Sequence, residues 1–295
     1  MKYIDWRSVL LNPTQMCINA IELMYYLTQY PLDSFIDASV IMSGPRFTTE
    51  VMIDISPGPG RLLLPYAVQA LYQLSVRMAQ ESRYFLQWGK IFVNGKQCGV
   101  IRFQQISNGS PINDLIAGSD LLGSRNSSNN GTREIYAFPD VVPTRGNYSA
   151  NADDEGKIFD PKDKRLVIEF KFDNSKMRGR EVFTSLLDGL AIATEHDQAE
   201  VGASVDTYSA SLETSLYIHH LDSPRYYRRG LTWGVMARVL IMIWEQLIMG
   251  NSPGRRGRLP RYEGLDFDIY NDDVIIGVGR LWSVGMPGVG VSVSR

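Results

Sequence analysis

Two stretches of this sequence follow the same plan, and that repetition constrains the fold more than any single motif. From residue 48 to residue 103 a strand-like run, TTEVMIDI, passes through SPGPG into RLLLPYAVQALYQL and ends in IFVNGKQCGVIRF, two strand-like runs around Asn94-Gly95. From Leu212 to Trp282 the order recurs: ETSLYIHH, an arginine-rich loop, the long apolar helix LTWGVMARVLIMIWEQL, a second arginine-rich loop, and FDIYNDDVIIGVGRL. Aligned by kind, Asn94 falls on Asn271, Gly99 on Gly277 and Arg102 on Arg280. Two copies of one unit suggest duplication and fusion. The expected fold is therefore α+β, with two related αββαββ-type halves (a tandem duplication).

The elements around this repeat can be read from periodicity and end signals. Asn12, Pro13 and Gln15 supply a cap, a first-turn proline and a reciprocal capping partner for a helix reaching about Tyr30, with Met16, Ala20, Met24 and Leu27 as its buried stripe. Strands follow near Asp37 to Met42 and from Phe47 to Ile55, where apolar and polar residues alternate. A helix begins near Pro65, turning Gln69, Gln73, Arg77 and Gln80 to water and Val68, Leu71, Leu74 and Met78 inward. Asn94-Gly95 predicts a tight hairpin between Lys90–Val93 and Gln97–Phe103. In the second half the reading is a strand from Arg165 to Asp173, a helix from Glu181 to Glu195, two strands within Ala203 to His220, a helix from Thr232 to Met249, and a hairpin of Leu265–Tyr270 with Val274–Trp282.

These readings divide the chain into a first αββαββ half, 1–106, with a further strand near Lys2 to Trp6, an insertion or linker, 107–163, a βαββαββ half, 164–284, and a glycine-rich tail, 285–295. Within such a half, βαββαβ is the split, ferredoxin-like order. Antiparallel sheets with helices on one face, ferredoxin-like or DNA-clamp-like in arrangement, are the expected architecture. The insertion is rich in Ser, Asn, Gly, Asp and Pro, and it carries Asn-x-Ser/Thr acceptors at Asn108, Asn126, Asn130 and Asn147.

Composition narrows the classes of function. Lys and Arg number 30 against 32 Asp and Glu in 295 residues, so the chain as a whole gives no reason to expect nucleic acid or an anionic membrane as partner. The longest apolar run, Val235 to Met249, is broken by Arg238 and Glu245 and is too short for a bilayer span. Asp5 and Arg7 interrupt what would be the apolar core of a secretory signal, so the expectation is a cytoplasmic protein as written, or a secreted one if a signal was removed. Cys17 and Cys98 fall in a helix and a strand, as small buried hydrophobes do.

The strands carry the chemistry. Beside their apolar faces they present Glu50, Asp54, Glu169, Lys171, Tyr217, His219, Asp266 and Asp268, so each half has a polar sheet face that no predicted helix covers. Alternation places His219, rather than His220, on that face. Carboxylates beside an imidazole and a phenol can move protons once burial brings their pKa values toward neutrality. On this basis His219, Asp268, Asp266, Glu169 and Tyr217 are candidate catalytic residues of a metal- and cofactor-independent isomerase, cyclase or lyase acting on a small apolar metabolite. No spacing of ligands points to a metal, and no helix follows the glycine-rich stretches Gly277-Val278-Gly279 and Gly285 to Gly290 to offer a phosphate its N-terminus. Glu195-His196-Asp197 reads as a solvated helix end.

Charge is concentrated in one place. Residues 221–262 hold Arg225, Arg228, Arg229, Arg238, Arg255, Arg256, Arg258 and Arg261 against only Asp222 and Glu245. Arg228 and Arg229, with Arg255, Arg256 and Arg258, are candidate ligands for an anion or acidic glycan. The clusters flank a helix and lie about 27 Å apart if the loops do not fold back. Acids on the sheet face, where an RNA-binding sheet carries stacking aromatics, argue against nucleic acid.

LTWGVMARVLIMIWEQL followed by FDIYNDDVIIGVGRL resembles a loosely defined set of uncharacterised filamentous-fungal proteins with an LTWG or LTYG helix start and a Val-Gly-x-Gly strand. The resemblance covers about 70 residues and implies a shared local structure, with no functional residue carried by it. Beside the enzyme, the second expectation is a non-catalytic binding or assembly protein. It would use the polar face or the arginine loops to hold a small-molecule ligand, a glycan or a protein partner, or it would form a homo-oligomer.

Overall fold

The computed structural model describes residues 2–44, 47–56, 61–106, 154–209, 213–221, 230–249 and 260–284, with side chains from residue 10 onward. The first half runs β1 (Lys2–Leu10), α1 (Pro13–Leu27), β2 (Phe35–Ile36), β3 (Val40–Met42), β4 (Thr49–Ile55), β5 (Leu62–Leu63), α2 (Leu64–Glu81), β6 (Phe85–Val93) and β7 (Lys96–Gln105). The second runs β8 (Glu155–Phe159), β9 (Leu166–Lys176), α3 (Gly179–Ala193), β10 (Val205–Tyr208), β11 (Thr214–His220), α4 (Trp233–Met242), a π-helical turn (Ile243–Ile248), β12 (Glu263–Asn271) and β13 (Val274–Ser283). This is an α+β protein with antiparallel sheets.

Sheet one has the order β1-β6-β7-β4-β3, and sheet two the order β10-β11-β13-β12-β9-β8. Written from the other edge, the second is β9-β12-β13-β11-β10 with β8 added beyond β9. The two halves thus share one strand order, and the strand near Lys2 to Trp6 is the first half's counterpart of β9. A ferredoxin-like sheet would set β9 beside β11. Here the hairpin strand β13 takes that place and β9 moves to the far side of β12.

The helices lie between the sheets. α1 touches β3 and β4 and α2 touches β6 and β7, α3 touches β10 and β11, and across the middle α1 meets α3 and α4 while α2 meets α3. One continuous cluster of buried apolar side chains, from Met16 and Leu71 to Leu187, Met236 and Leu281, runs through both halves. α4 is apolar nearly all round, and Met236, Val239, Leu240, Ile241 and Met242 are buried, as expected of a helix closed in on every side. Each sheet consequently turns its inner face to the helices and its polar face outward, so the two polar faces point away from each other. The central helix layer keeps the two polar faces from meeting.

Local signals account for most element ends. Asn12 Oδ1 accepts from the Gln15 backbone N–H at 3.1 Å. Gln15 does not reach back to complete a capping box. Its Oε1 accepts from the backbone N–H of Thr48 at 2.8 Å and from the Thr48 hydroxyl at 3.1 Å, tying the start of α1 to the start of β4. Both long hairpins close with two residues in the left-handed region, Asn94 (φ 50°) with Gly95 (φ 77°) and Asp272 (φ 51°) with Asp273 (φ 61°), the geometry of a type I′ turn.

That geometry corrects the alignment of the repeats by one residue. Ile91 pairs with Gly99 and Phe92 with Gln97, skipping Cys98, and Ile269 pairs with Gly277 and Tyr270 with Ile275, skipping Ile276. Asn94 therefore corresponds to Asp272, with Gly99 and Gly277, and Arg102 and Arg280, matched as expected. A Cβ on Gly99 would meet Asp54 O and Leu62 Cδ2, both at 2.9 Å, and one on Gly277 would meet His219 O and Leu231 Cδ2, both at 3.0 Å. The bulge, the glycine and the atoms crowding it are the same in both halves.

Three further readings change with the structure. β8 lies within the stretch taken as insertion, where its partner β9 supplies the order that its own sequence does not signal. The strand expected from Asp37 to Met42 is confined to β3, and the separate β2 just before it pairs with β5. The helix from Thr232 widens into a π turn over its last six residues, in which the Met249 N–H donates to Trp244 O at 2.9 Å.

Candidate functional site

All five residues proposed as catalytic lie on the outer face of sheet two, and the register arranges that face in two rows. Across all six strands run Asp206, Tyr217, Arg280, Asp266, Lys171 and Glu155. Beside them run His219, Val278, Asp268, Glu169 and Lys157. Asp268 and Glu169 are neighbours. His219 and Asp268 are two strands apart, about 10 Å at the usual strand spacing, with Val278 between them. Tyr217 and Asp266 are separated likewise by Arg280. The five share a face without converging on one point.

Ion pairs knit the rows together. Arg280 lies between Asp266 (3.1 Å) and Asp173 (3.3 Å), Lys171 stands 3.9 Å from Glu155, and Lys157 contacts Glu169 directly. His219 Nε2 is 3.3 Å from Asp206 Oδ1, and both side chains are well exposed. The Tyr217 ring sits edge-on to His219 at 5.2 Å and to Trp282 at 5.5 Å. The hydrogen bond from Lys157, with another from Tyr270, holds the Glu169 carboxyl below the usual range. Asp266 is pushed up by partial burial and by Asp173, against the pull of Arg280 and Lys171. Asp268 is pushed up by partial burial and then by the charges of Glu169 and Asp266, and among the described residues no ion pair reaches it. Tyr217 is raised by burial and by Asp266.

A shallow depression of 430 Å³ lies over β8, β9 and β12, lined by Glu155, Lys157, Glu169, Lys171, Asp266 and Asp268 with the backbone around Gly156. It opens broadly to solvent, and among the described residues no wall stands opposite the sheet. Asp206, Arg280, Trp282, Lys157 and Glu155 belong to this surface and were missed as site residues. Alternation in Val205-Asp206-Thr207-Tyr208 was the signal for the first of them.

The arginine reading divides. Arg228, Arg229, Arg255, Arg256 and Arg258, proposed as ligand-binding, lie outside the described residues, as does Arg225. Arg238 is no part of a solvated patch: its guanidinium donates to Asp160 at 2.7 and 2.5 Å and reaches Tyr25 Oη at 3.4 Å. Arg261 is also held internally, by Asp154 at 2.7 Å and Glu263 at 2.5 Å, over the Phe172 ring. His196, read as a solvated helix end, stacks flat on Trp233 at 3.8 Å. Among the described residues no group of three or more His, Cys, Asp or Glu is placed to hold a metal ion, and no helix is long and apolar enough to cross a membrane.

The fold and this face define a layered α+β protein with helices between two antiparallel sheets. Comparison with protein-family models, curated proteins and solved structures finds no match to the chain.

Proposed function

We propose that this chain is a non-catalytic binding protein, and that the outer face of sheet two receives a positively charged segment of a protein partner. The observation that supports this reading most is charge on an open surface. Among the described residues Glu155, Glu169, Asp173, Asp206, Asp266 and Asp268 outnumber Lys157, Lys171 and Arg280 there, and Asp268 sits between two carboxylates with no cation of its own. A cationic side chain placed beside Asp268 and Asp266 relieves their mutual repulsion, so charge complementarity favours a basic partner. Tyr217 and Trp282 offer amphipathic contact area next to the acids.

The acid–base enzyme is the second reading, and the raised carboxyls of Asp266 and Asp268 are the observation in its favour. It asks for water exclusion and for groups within hydrogen-bond reach of one substrate atom. An open face with His219 two strands from Asp268 supplies neither. We further infer that the halves arose by duplication of one unit, which the shared strand order and the matched glycine bulges support.

The test is binding of a short Lys- and Arg-rich peptide, followed by fluorescence anisotropy at low and high salt. The double variant Asp266→Asn/Asp268→Asn is expected to lose about tenfold in affinity, roughly 1.4 kcal/mol. High salt should weaken the wild type far more than the variant. Equal binding by the two proteins removes the proposal, and turnover of a metabolite lost in the same variant would establish the enzyme instead.

A further inference from the structure

The helix seam between the halves holds an arrangement that neither functional reading uses. Arg238 of α4 meets Tyr25 of α1, and about two turns further on Glu245, in the π turn, acts on Glu22 of α1. Helix α1 and the α4 segment therefore cross with their chain directions opposed. The arginine is already committed, with two of its nitrogens on Asp160 and a third toward Tyr25. Glu22 keeps part of its surface, but its Oε2 is buried with no hydrogen-bond partner among the described residues.

The matching seam is built differently. Glu22 is the tenth residue of α1, and the tenth residue of α3, also a fifteen-residue helix, is Asp188. Across α2–α3, Asp188 accepts a hydrogen bond from the Tyr72 hydroxyl. In one seam the carboxyl at this position meets a neutral donor, and in the other it meets a second acid. The acid is carried by a π turn, a rare irregularity that often marks functional sites in helices.

We propose that the α1–α4 seam is a proton-operated latch: a proton held at Glu22, opposite Glu245, keeps the two halves docked there, and its loss loosens the seam. Ionising Glu22 places a charge at an oxygen without a donor and against a like charge, a cost that a buried carboxyl avoids by staying neutral. Glu245 from the π turn acts on Glu22 itself, and Arg238 from α4, Asp160 and Lys162 from the segment after β8, and Tyr25 from α1 form one charge network with Glu245 in the same seam. Arg238 is committed to Asp160 and Tyr25, and among the described residues Glu245 is the charge that acts on Glu22. Burial first and Glu245 second push Glu22 up to about 8 from an ordinary value of 4.5. The folded chain thus holds a proton that the unfolded chain releases. The stability from it is complete below pH 4.5, declines as pH rises through about 8 and is absent above.

Two readouts test the latch in the whole chain. The melting temperature of the wild type should fall by roughly 5 °C between about pH 6 and pH 9 relative to Glu22→Gln, which keeps the neutral shape at every pH. Cys17 on α1 and Cys98 on β7 are both buried free thiols. The labelling of Cys17 relative to Cys98 should rise severalfold over the same range in wild type and stay level in the variant. Glu245→Gln removes the like charge and should flatten both profiles in part, which keeps the test alive if Glu22→Gln does not fold. Wild-type profiles shared by either folded variant overturn the proposal.

Discussion

Sheets one and two have the same strand order, the same hairpin turns and the same glycine bulge, yet their outer faces have little in common. Where sheet two carries Asp266 and Asp268 opposite Arg280 and Val278, sheet one carries Trp88 and Lys90 opposite Arg102 and Val100. Where sheet two has Tyr217 and His219, sheet one has Met52 and Asp54. Arg102 meets Asp54 at 2.7 Å, and Lys90 lies over the Trp88 ring, so sheet one's charges are largely spent within its own face. Inner faces, turns and bulges are fixed by packing against the helices, and a change there is felt throughout the core. Outer faces carry no such constraint. That is why, among the described residues, an acidic surface with an unpaired Asp268 stands out on sheet two.

The comparison can be broken at its strongest point first. Sheet two's half is braced by the Arg238–Asp160 pair, whose arginine also reaches Tyr25 of α1 and in which the Asp160 side chain is only 4% exposed. Asp160→Ala leaves a buried arginine unpaired and should cost about 3–5 kcal/mol in chemical denaturation. Asp54→Ala, which breaks the half-exposed Arg102 pair of sheet one, should cost at most about 1 kcal/mol.

Next come the matched glycines. Gly99→Ala and Gly277→Ala each force a methyl against a strand carbonyl and a leucine, and each should lose about 1–3 kcal/mol. Losses that differ by more than about 2 kcal/mol would show that the two bulges are alike in shape only.

The smallest effect sharpens the contrast between faces. Asp268 has a raised folded pKa, so it favours folding most below the ordinary carboxyl value of 3.8 and loses that contribution as pH rises. Because it is substantially solvated, Asp268→Asn should gain no more than about 0.5 kcal/mol at neutral pH, fading toward pH 3. A loss of stability at neutral pH would mean that its charge is compensated after all.

Much of the architecture was legible because it rests on local rules. Asn94-Gly95 selects its turn, Asn12-Pro13 starts a helix, and alternation in Val51 to Ile55 and Leu166 to Asp173 tells inside from outside. The same alternation correctly put His219, Asp266, Asp268, Glu169 and Tyr217 on one face. It could not give their spacing across strands, because strand order is a matter of which hairpin lies beside which. Gln15 illustrates the limit: its spacing from Asn12 fits a capping box, but Thr48 lay closer to hand once the strand had docked.

What the sequence determined by itself, then, was the repeated unit, the hairpins and the side of each strand that meets water. These depend on backbone preference and on the pairing of neighbours in the chain. Only the tertiary structure decided that the helices lie between the sheets, that β13 separates β11 from β12, and that Arg238 faces Asp160 and Tyr25 instead of solvent. Those depend on contacts between residues as far apart as 25 and 238, whose strength comes from burial that exists only once both halves are assembled.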